Sequence, residues 1–203
     1  MGVYLQGLTM GLAYVAPIGL QNLFVINSAL THTRRRALLT ALIVIFFDVT
    51  LALACFFGVG AVMERYAWLQ MAILLVGSLI VIYIGVGLLR AKVAELEQSR
   101  AESSIRKTIS SACVVTWFNP QAIIDGTMML GAFHATLSVP EGITFITGVA
   151  SASCLWFTGV TLLISIFSNR FDAKILRIIN VVCGAVIIFY GCKLLWSFVN
   201  MVM

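Results

Sequence analysis

Two aspartates deep inside apolar stretches are the first candidates for chemistry in this sequence. Asp48 lies within Ala41-Leu-Ile-Val-Ile-Phe-Phe-Asp-Val-Thr-Leu-Ala-Leu-Ala54, and Asp125 ends Trp117-Phe-Asn-Pro-Gln-Ala-Ile-Ile-Asp125. A carboxylate near the centre of a bilayer costs roughly 2.5–3.5 kcal/mol, so it normally faces a water-filled path, a cation or a partner group. Two such acids predict a site for something positively charged, with a purely structural role for each acid as the alternative.

Two prolines inside apolar stretches predict breaks in the helices that carry them. A proline removes one backbone hydrogen bond and clashes with the carbonyl four residues back. In lipid the freed carbonyls need partners, so helices break where protein or water lines a cavity. We predict broken helices at Pro17, loosened further by Gly19, and at Pro120. Passive kinks satisfied by neighbouring helices are the alternative.

Polar and aromatic side chains near these positions complete the predicted substrate site. Gln21, Asn22 and Asn119 bring amides to the two breaks. The hydroxyls of Ser151 and Ser153 could bind a ligand. The indole rings of Trp117 and Trp156 could stack on a guanidinium group or shield an ammonium group. Close helix packing would explain the same serines and tryptophans equally well.

The elements that position these residues follow from composition. The 203 residues are 61% hydrophobic and only 10% charged, whereas a soluble domain carries about 25% charged residues. Because about 20 apolar residues cross the hydrocarbon, we predict six transmembrane helices, at about 3–30, 37–63, 67–90, 108–133, 140–167 and 175–200. The fold class is therefore an all-α integral membrane protein with a single transmembrane domain, 1–203.

Basic residues predict the orientation of these helices. Eleven lysines and arginines fall in the first, third and fifth loops, against Arg65 alone in the second loop and none in the fourth. The positive-inside rule places the three basic loops in the cytoplasm and both termini outside. Lys193 lies inside the last segment, where it either snorkels to the outer interface or pairs with one of the aspartates. The first segment is too long and lacks the basic start of a cleaved signal, so we expect it to remain as a helix.

The two halves of the chain correspond as a weak internal repeat. Pro17 matches Pro120 at an offset of 103, and Gly85-Val-Gly-Leu-Leu89 matches Gly191-Cys-Lys-Leu-Leu195 at an offset of 106. Repeat 1 covers about 1–90 and repeat 2 about 108–203, joined by a cytoplasmic linker at 91–107. Three helices per repeat reverse the orientation, as the charge count also requires. Both observations predict a 3+3 inverted repeat with helices 1 and 4 broken, an arrangement found in many secondary transporters.

Other function classes find little support in the residues. The five cysteines form no C-x-x-C pair and the two histidines make no ligand cluster, so we expect no cofactor, no resident metal and no enzyme. The net charge of +5 lies in loops, which fits a membrane surface rather than a nucleic acid. Small residues such as Gly77 and Gly85 suggest a homodimer as a further partner interaction.

Several motifs together resemble the LysE/ArgO family of amino-acid exporters across nearly the whole chain. Pro17-Ile-Gly-Leu-Gln-Asn22 is similar to the family's P-x-G-P-Q-N element, and Thr116-Trp-Phe-Asn-Pro120 with Asp125 is similar to its T-W-L-N-P element and following aspartate. Asp48 stands where the family has its helix-2 aspartate, and Ser151-Ala-Ser-Cys-Leu-Trp-Phe157 and Arg177-Ile-Ile-Asn180 also look similar. Leu20 replaces the family's second proline, from which we expect a milder first break.

The resemblance implies export of L-lysine or L-arginine across the bacterial inner membrane, driven by protons. The two aspartates would bind the positive groups and a half-helix N-terminus at a break would receive the carboxylate. Burial disfavours the charged form of a carboxylate, so Asp48 or Asp125 could carry the proton when substrate is absent. The alternatives are a divalent metal-cation exporter of related fold, an intramembrane aspartyl protease and a redox-relay membrane protein.

Overall fold

All regular secondary structure is helical in the part of the chain that its structure, a computed structural model, describes. That part comprises residues 2–17, 19–58, 66–90, 104–134, 136–167 and 173–202. Residues 91–103 of the predicted linker and the end of the second predicted segment, 59–63, lie outside it. Eight α-helices of seven or more residues are described, and they are α1 Gly2–Val15, α2 Leu20–Thr31, α3 Arg34–Phe56, α4 Ala67–Arg90, α5 Ile105–Trp117, α6 Pro120–Gly126, α7 Val139–Phe167 and α8 Ala173–Val202. A π-helical turn, Thr127–Gly131, and a short α-helical stretch, Ala132–His134, continue from α6.

Three helices among the described residues are long and apolar enough to cross a membrane. They contain Arg34–Phe56, Val139–Ile166 and Gly184–Met201. The number of candidate spans rises to four if the bent pair α1 and α2 counts as one span. Helix α4 contains a shorter apolar stretch, Leu75–Gly87. The chain is therefore an all-helical membrane protein with three to four candidate spans among the described residues, and six spans stay a prediction.

Glycines allow α1 to lie directly on α7. A Cβ atom on Gly7 would stand 2.0 Å from the carbonyl oxygen of Phe145, and one on Gly148 would stand 2.3 Å from that of Tyr4. Gly11 meets Val149 in the same way. This contact fixes α1 against the helix that carries Ser153, while α3 packs on the same helix α7 and brings Asp48 to it.

Helix α4 packs directly against α8. Gly85 of α4 lies against Gly184 and Ile188 of α8, and Gly191 of α8 lies against Ile82 of α4. Gly77 lies against the carbonyl of Phe118, at the break between α5 and α6. Gly77 and Gly85 are thus covered within the chain, so the small residues that suggested a homodimer serve internal packing.

The structure contradicts two further expectations, one about Lys193 and one about the first break. Lys193 is exposed on α8, whereas Asp48 is fully buried and hydrogen-bonded to other residues. Pairing of Lys193 with Asp48 is therefore wrong. The first break is also not mild, because α1 and α2 meet at 77°. Leu20 opens α2 and buries its side chain among Leu23, Val81 and Val115, so apolar packing stabilises the bend without a second proline.

Candidate functional site

One asparagine hydrogen-bonds to the backbone carbonyls at the first break. Helix α1 ends at Val15 and α2 begins at Leu20, which leaves carbonyls without helical partners. The Asn22 side-chain amide donates to the carbonyls of Val15 and Pro17, at 2.8 Å each. Its own oxygen accepts a hydrogen bond from Trp156 Nε1 at 2.8 Å. Gly19 is the N-cap of α2, with an extended backbone at φ −129°, a conformation open to any residue.

Asp48 lies at the centre of the site and is 0% exposed. Its Oδ1 accepts a hydrogen bond from Gln21 Nε2 at 3.2 Å, and its Oδ2 accepts one from Ser153 Oγ at 2.6 Å. These donors come from α2 and α7, so three helices converge on one carboxylate. Both donors are uncharged, so the carboxyl group can hold a proton or receive a cation.

The second break carries Asp125. Helix α5 ends at Trp117, Asn119 is the N-cap of α6, and Pro120 is its first residue, where the missing N–H of proline costs nothing. Asp125 lies at the end of α6 and is half-buried. A π-helical turn follows from Thr127, a form that occurs mostly as single turns and frequently at functional sites.

Tyr14 connects the surroundings of the two acids. It lies three residues before Pro17, and both Asp48 and Asp125 are near it. Its hydroxyl donates to the carbonyl of Ala122 in α6, at 3.5 Å. Gly126 permits this approach, because a Cβ atom there would stand 2.9 Å from Cys55 Sγ and 3.2 Å from the Tyr14 ring. Tyr14 thus connects the end of α1 to α6, the helix that carries Asp125.

Some predicted site residues point elsewhere. Ser151 Oγ donates to the carbonyl of Thr147 in its own helix, at 2.9 Å, away from Asp48. Trp117 Nε1 donates to Thr50 Oγ1 at 3.3 Å, and Trp156 is engaged by Asn22. Both indole N–H groups therefore serve contacts within the chain.

Tyr14 and Thr50 were missed from the sequence. Tyr14 could have been found, because at the repeat offset of 103 it falls on Trp117, a residue already singled out. Thr50 stands two residues after Asp48 within an apolar run, and its pairing with Trp117 has no sequence signal.

Among the described residues, no group of three or more histidines, cysteines, aspartates or glutamates could hold a metal ion. Apolar helices that bend around a buried carboxylate define a multi-pass membrane protein with a polar site at depth.

Comparison with known proteins places the chain in a family. The LysE type translocator family model matches residues 12–197, and the chain belongs to this family. It is therefore a transporter and not an enzyme. The match includes both breaks and both aspartates.

Three relatives indicate how far the similarity extends. The arginine exporter protein ArgO of Klebsiella pneumoniae (strain 342) is 35% identical over 196 residues, which cover 94% of this chain and 92% of the relative. ArgO of Escherichia coli (strain K12) is 34% identical over 196 residues, with the same coverage of 94% and 92%. ArgO of Salmonella newport (strain SL254) is 35% identical over 188 residues, covering 90% of this chain and 88% of the relative. No solved structure matches the chain.

Proposed function

We propose that the protein exports L-arginine, with L-lysine as the second candidate, from the bacterial cytoplasm in exchange for protons. The observation that carries this proposal is the similarity to arginine exporters over 94% of the chain. The buried acid between two helix breaks supports it, because a cationic substrate needs carboxylates at depth. Asp48 and Asp125 are the proposed substrate and proton residues.

The unequal burial of the acids suggests how the site is loaded. Asp125 is half-buried, whereas Asp48 is buried and accepts hydrogen bonds from Gln21 and Ser153. Arginine carries a guanidinium group and an α-ammonium group, each of which pairs well with a carboxylate. We expect the substrate to meet Asp125 first and to reach Asp48 only when the broken helices move. The N-terminus of α2 at Gly19 would face the substrate carboxylate.

Proton exchange removes an electrical cost from export. Moving one positive charge out of a cell that is negative inside costs roughly 2.3 kcal/mol per 100 mV. Inward movement of one proton for each outward cation cancels this charge transfer. A carboxylate that alternates between proton and substrate provides such an exchange, because the two cannot occupy it together.

The contacts between helices support a 3+3 inverted repeat. If α1 to α4 correspond to α5 to α8, the contact of α1 with α7 is mirrored by that of α5 with α3. The contact of α2 with α8 is mirrored by that of α6 with α4. Gly85 approaches Ile188 Cγ1 and Gly191 approaches Ile82 Cγ1, each at 2.6 Å from an added Cβ. An offset of 106 exchanges these two pairs, as a two-fold axis would.

Efflux from proteoliposomes tests the proposal. Vesicles that hold the purified protein are loaded with labelled L-arginine or L-lysine and diluted into buffer at the same or lower pH. We expect efflux to accelerate when the outside is more acidic, and to fall to background in Asp48→Asn and Asp125→Asn. Thr161→Val is the matched control, because it removes a buried hydroxyl of α7 whose one bond among the described residues is to the Phe157 carbonyl of its own helix, at 2.7 Å. Efflux of neither amino acid at any gradient would overturn the proposal.

A further inference from the structure

Ser153 has a hydroxyl group placed between two acceptors. Its Oγ lies 2.6 Å from Asp48 Oδ2 and 3.4 Å from the carbonyl oxygen of Val149. Ser153 and Asp48 are each 0% exposed, so water does not compete for these bonds. A serine hydroxyl carries one proton and two lone pairs, so it can donate to only one of the two acceptors at a time.

We propose that Ser153 is a positioning residue that reverses its hydrogen bond when Asp48 gains or loses a proton. With Asp48 ionised, Ser153 donates to Oδ2. With Asp48 protonated, the Oδ2–H group donates to Ser153 Oγ, and the Ser153 hydroxyl turns to the Val149 carbonyl. Neither state leaves a buried donor without an acceptor. This inference rests on the proposed function only in making Asp48 the residue that carries the exchanged proton.

Gln21 fixes which oxygen carries the proton. Its Nε2 donates to Oδ1 at 3.2 Å, and an amide N–H group cannot accept a hydrogen bond. A proton on Oδ1 would therefore face a donor, whereas a proton on Oδ2 faces the reversible hydroxyl of Ser153. Oδ1 remains an acceptor in both states, so Gln21 holds the carboxyl group in place while Ser153 changes direction.

The other groups near Asp48 bond to backbone carbonyls instead of to its carboxyl group. The nearby titratable groups are Tyr14 from α1 and Cys55 from α3, and Asp125 from α6 is also near Tyr14. The Tyr14 hydroxyl donates to the Ala122 carbonyl and Cys55 Sγ to the Ile123 carbonyl, each at 3.5 Å. In the part of the chain that the structure describes, only Ser153 contacts Asp48 with a group that both donates and accepts.

The pH profile of arginine efflux separates this role from a structural one. Hydrogen bonds to a charged group are roughly twice as strong as neutral ones, so Ser153 favours ionised Asp48 on balance. In Ser153→Ala we expect the pH of half-maximal efflux to rise by about one unit, a tenfold change in proton concentration. Ser153→Thr keeps the hydroxyl and should restore the wild-type profile, and Thr161→Val should not shift it. A lower rate in Ser153→Ala with an unchanged profile would overturn the proposal.

Infrared difference spectroscopy tests the same idea without transport. The carbonyl band of protonated Asp48, identified by its loss in Asp48→Asn, reports the proton directly as pH is varied. In Ser153→Ala this band should titrate at a higher pH than in the wild type. In Ser153→Thr it should titrate at the same pH as in the wild type. Identical titrations in all three proteins would exclude the reversal of the Ser153 hydrogen bond. If the three proteins titrate as expected but the wild type exports neither arginine nor lysine, the exporter proposal fails and the proposed role of Ser153 stands.

Discussion

At the scale of single residues, Asn22 illustrates how a polar group beside a helix break can act on the protein's own backbone. Its position next to Pro17 predicted a substrate contact. In the structure, its side-chain N–H groups donate to the Val15 and Pro17 carbonyls, and its side-chain oxygen accepts a hydrogen bond from Trp156. Asn22 is 4% exposed, so it stabilises the bend between α1 and α2 in this conformation. A substrate could contact it only after these bonds open.

Replacing Asn22 by aspartate should destabilise the first break. Asn22→Asp keeps the side-chain volume but removes both N–H donors and places acceptors against two buried carbonyls. Each buried group left without a partner costs about 1–3 kcal/mol, so we expect a clearly lower unfolding temperature and weak transport. Trp156→Phe removes one donor and should have a smaller effect. The fraction of monodisperse protein after heating in detergent, measured by size-exclusion chromatography, checks both. A wild-type unfolding temperature in Asn22→Asp would contradict the capping role.

Serines of α7 mark the limit of sequence reasoning at this scale. Ser151 and Ser153 are two residues apart, so they point to different sides of a helix that turns every 3.6 residues. Only Ser153 reaches Asp48. The sequence identified the acid and the run of small polar residues, but the rotation of α7 about its axis depends on glycine contacts with α1. Those contacts join residues more than a hundred positions apart and leave no local signal.

At the scale of elements, the breaks were predictable and their shape was not. Both helices stop within three residues of the prolines, because proline lacks the N–H group that the helix requires. The 77° bend and the π-helical turn after Gly126 depend on tertiary packing. Cys55 and Tyr14 fill the space that Gly126 leaves open, and neither residue is near it in sequence.

The packing of α1 on α7 gives a prediction for glycine substitutions. An alanine at Gly7 would place its methyl group 2.0 Å from the Phe145 carbonyl oxygen, so the helices would have to separate. Overpacking of this kind costs typically 1–3 kcal/mol, and we expect Gly7→Ala to unfold at a lower temperature. Gly159 has nothing within 4 Å of an added Cβ, so Gly159→Ala should be neutral or stabilising by up to about 1 kcal/mol through helix propensity. Thermal unfolding of both variants in the same detergent checks this, and equal losses would show that the α1–α7 contact is not the cause.

At the scale of the whole molecule, the acid and the hydroxyl that define the site come from opposite halves. Asp48 of α3 bonds to Ser153 of α7, an offset of 105 residues that falls between the repeat offsets of 103 and 106. Neither offset makes Ser153 the counterpart of Asp48, because 103 leads to Ser151 and 106 leads to Cys154. The bond between this carboxylate and this hydroxyl is therefore a contact of the tertiary structure that no sequence correspondence predicted.

The inverted repeat also predicts where the chain termini lie. A 3+3 repeat contains an even number of spans, so both termini are on one face of the membrane, and the basic loops place that face outside. Alkaline phosphatase fused after Met203 should be active and green fluorescent protein there should be dark, whereas a fluorescent fusion after Lys92 should be bright. An N-terminal epitope should be reached by antibody in spheroplasts with intact membranes. Termini on opposite faces would require an odd number of spans and would contradict the repeat. Both termini inside would preserve the repeat and reverse the direction in which the basic loops were expected to point.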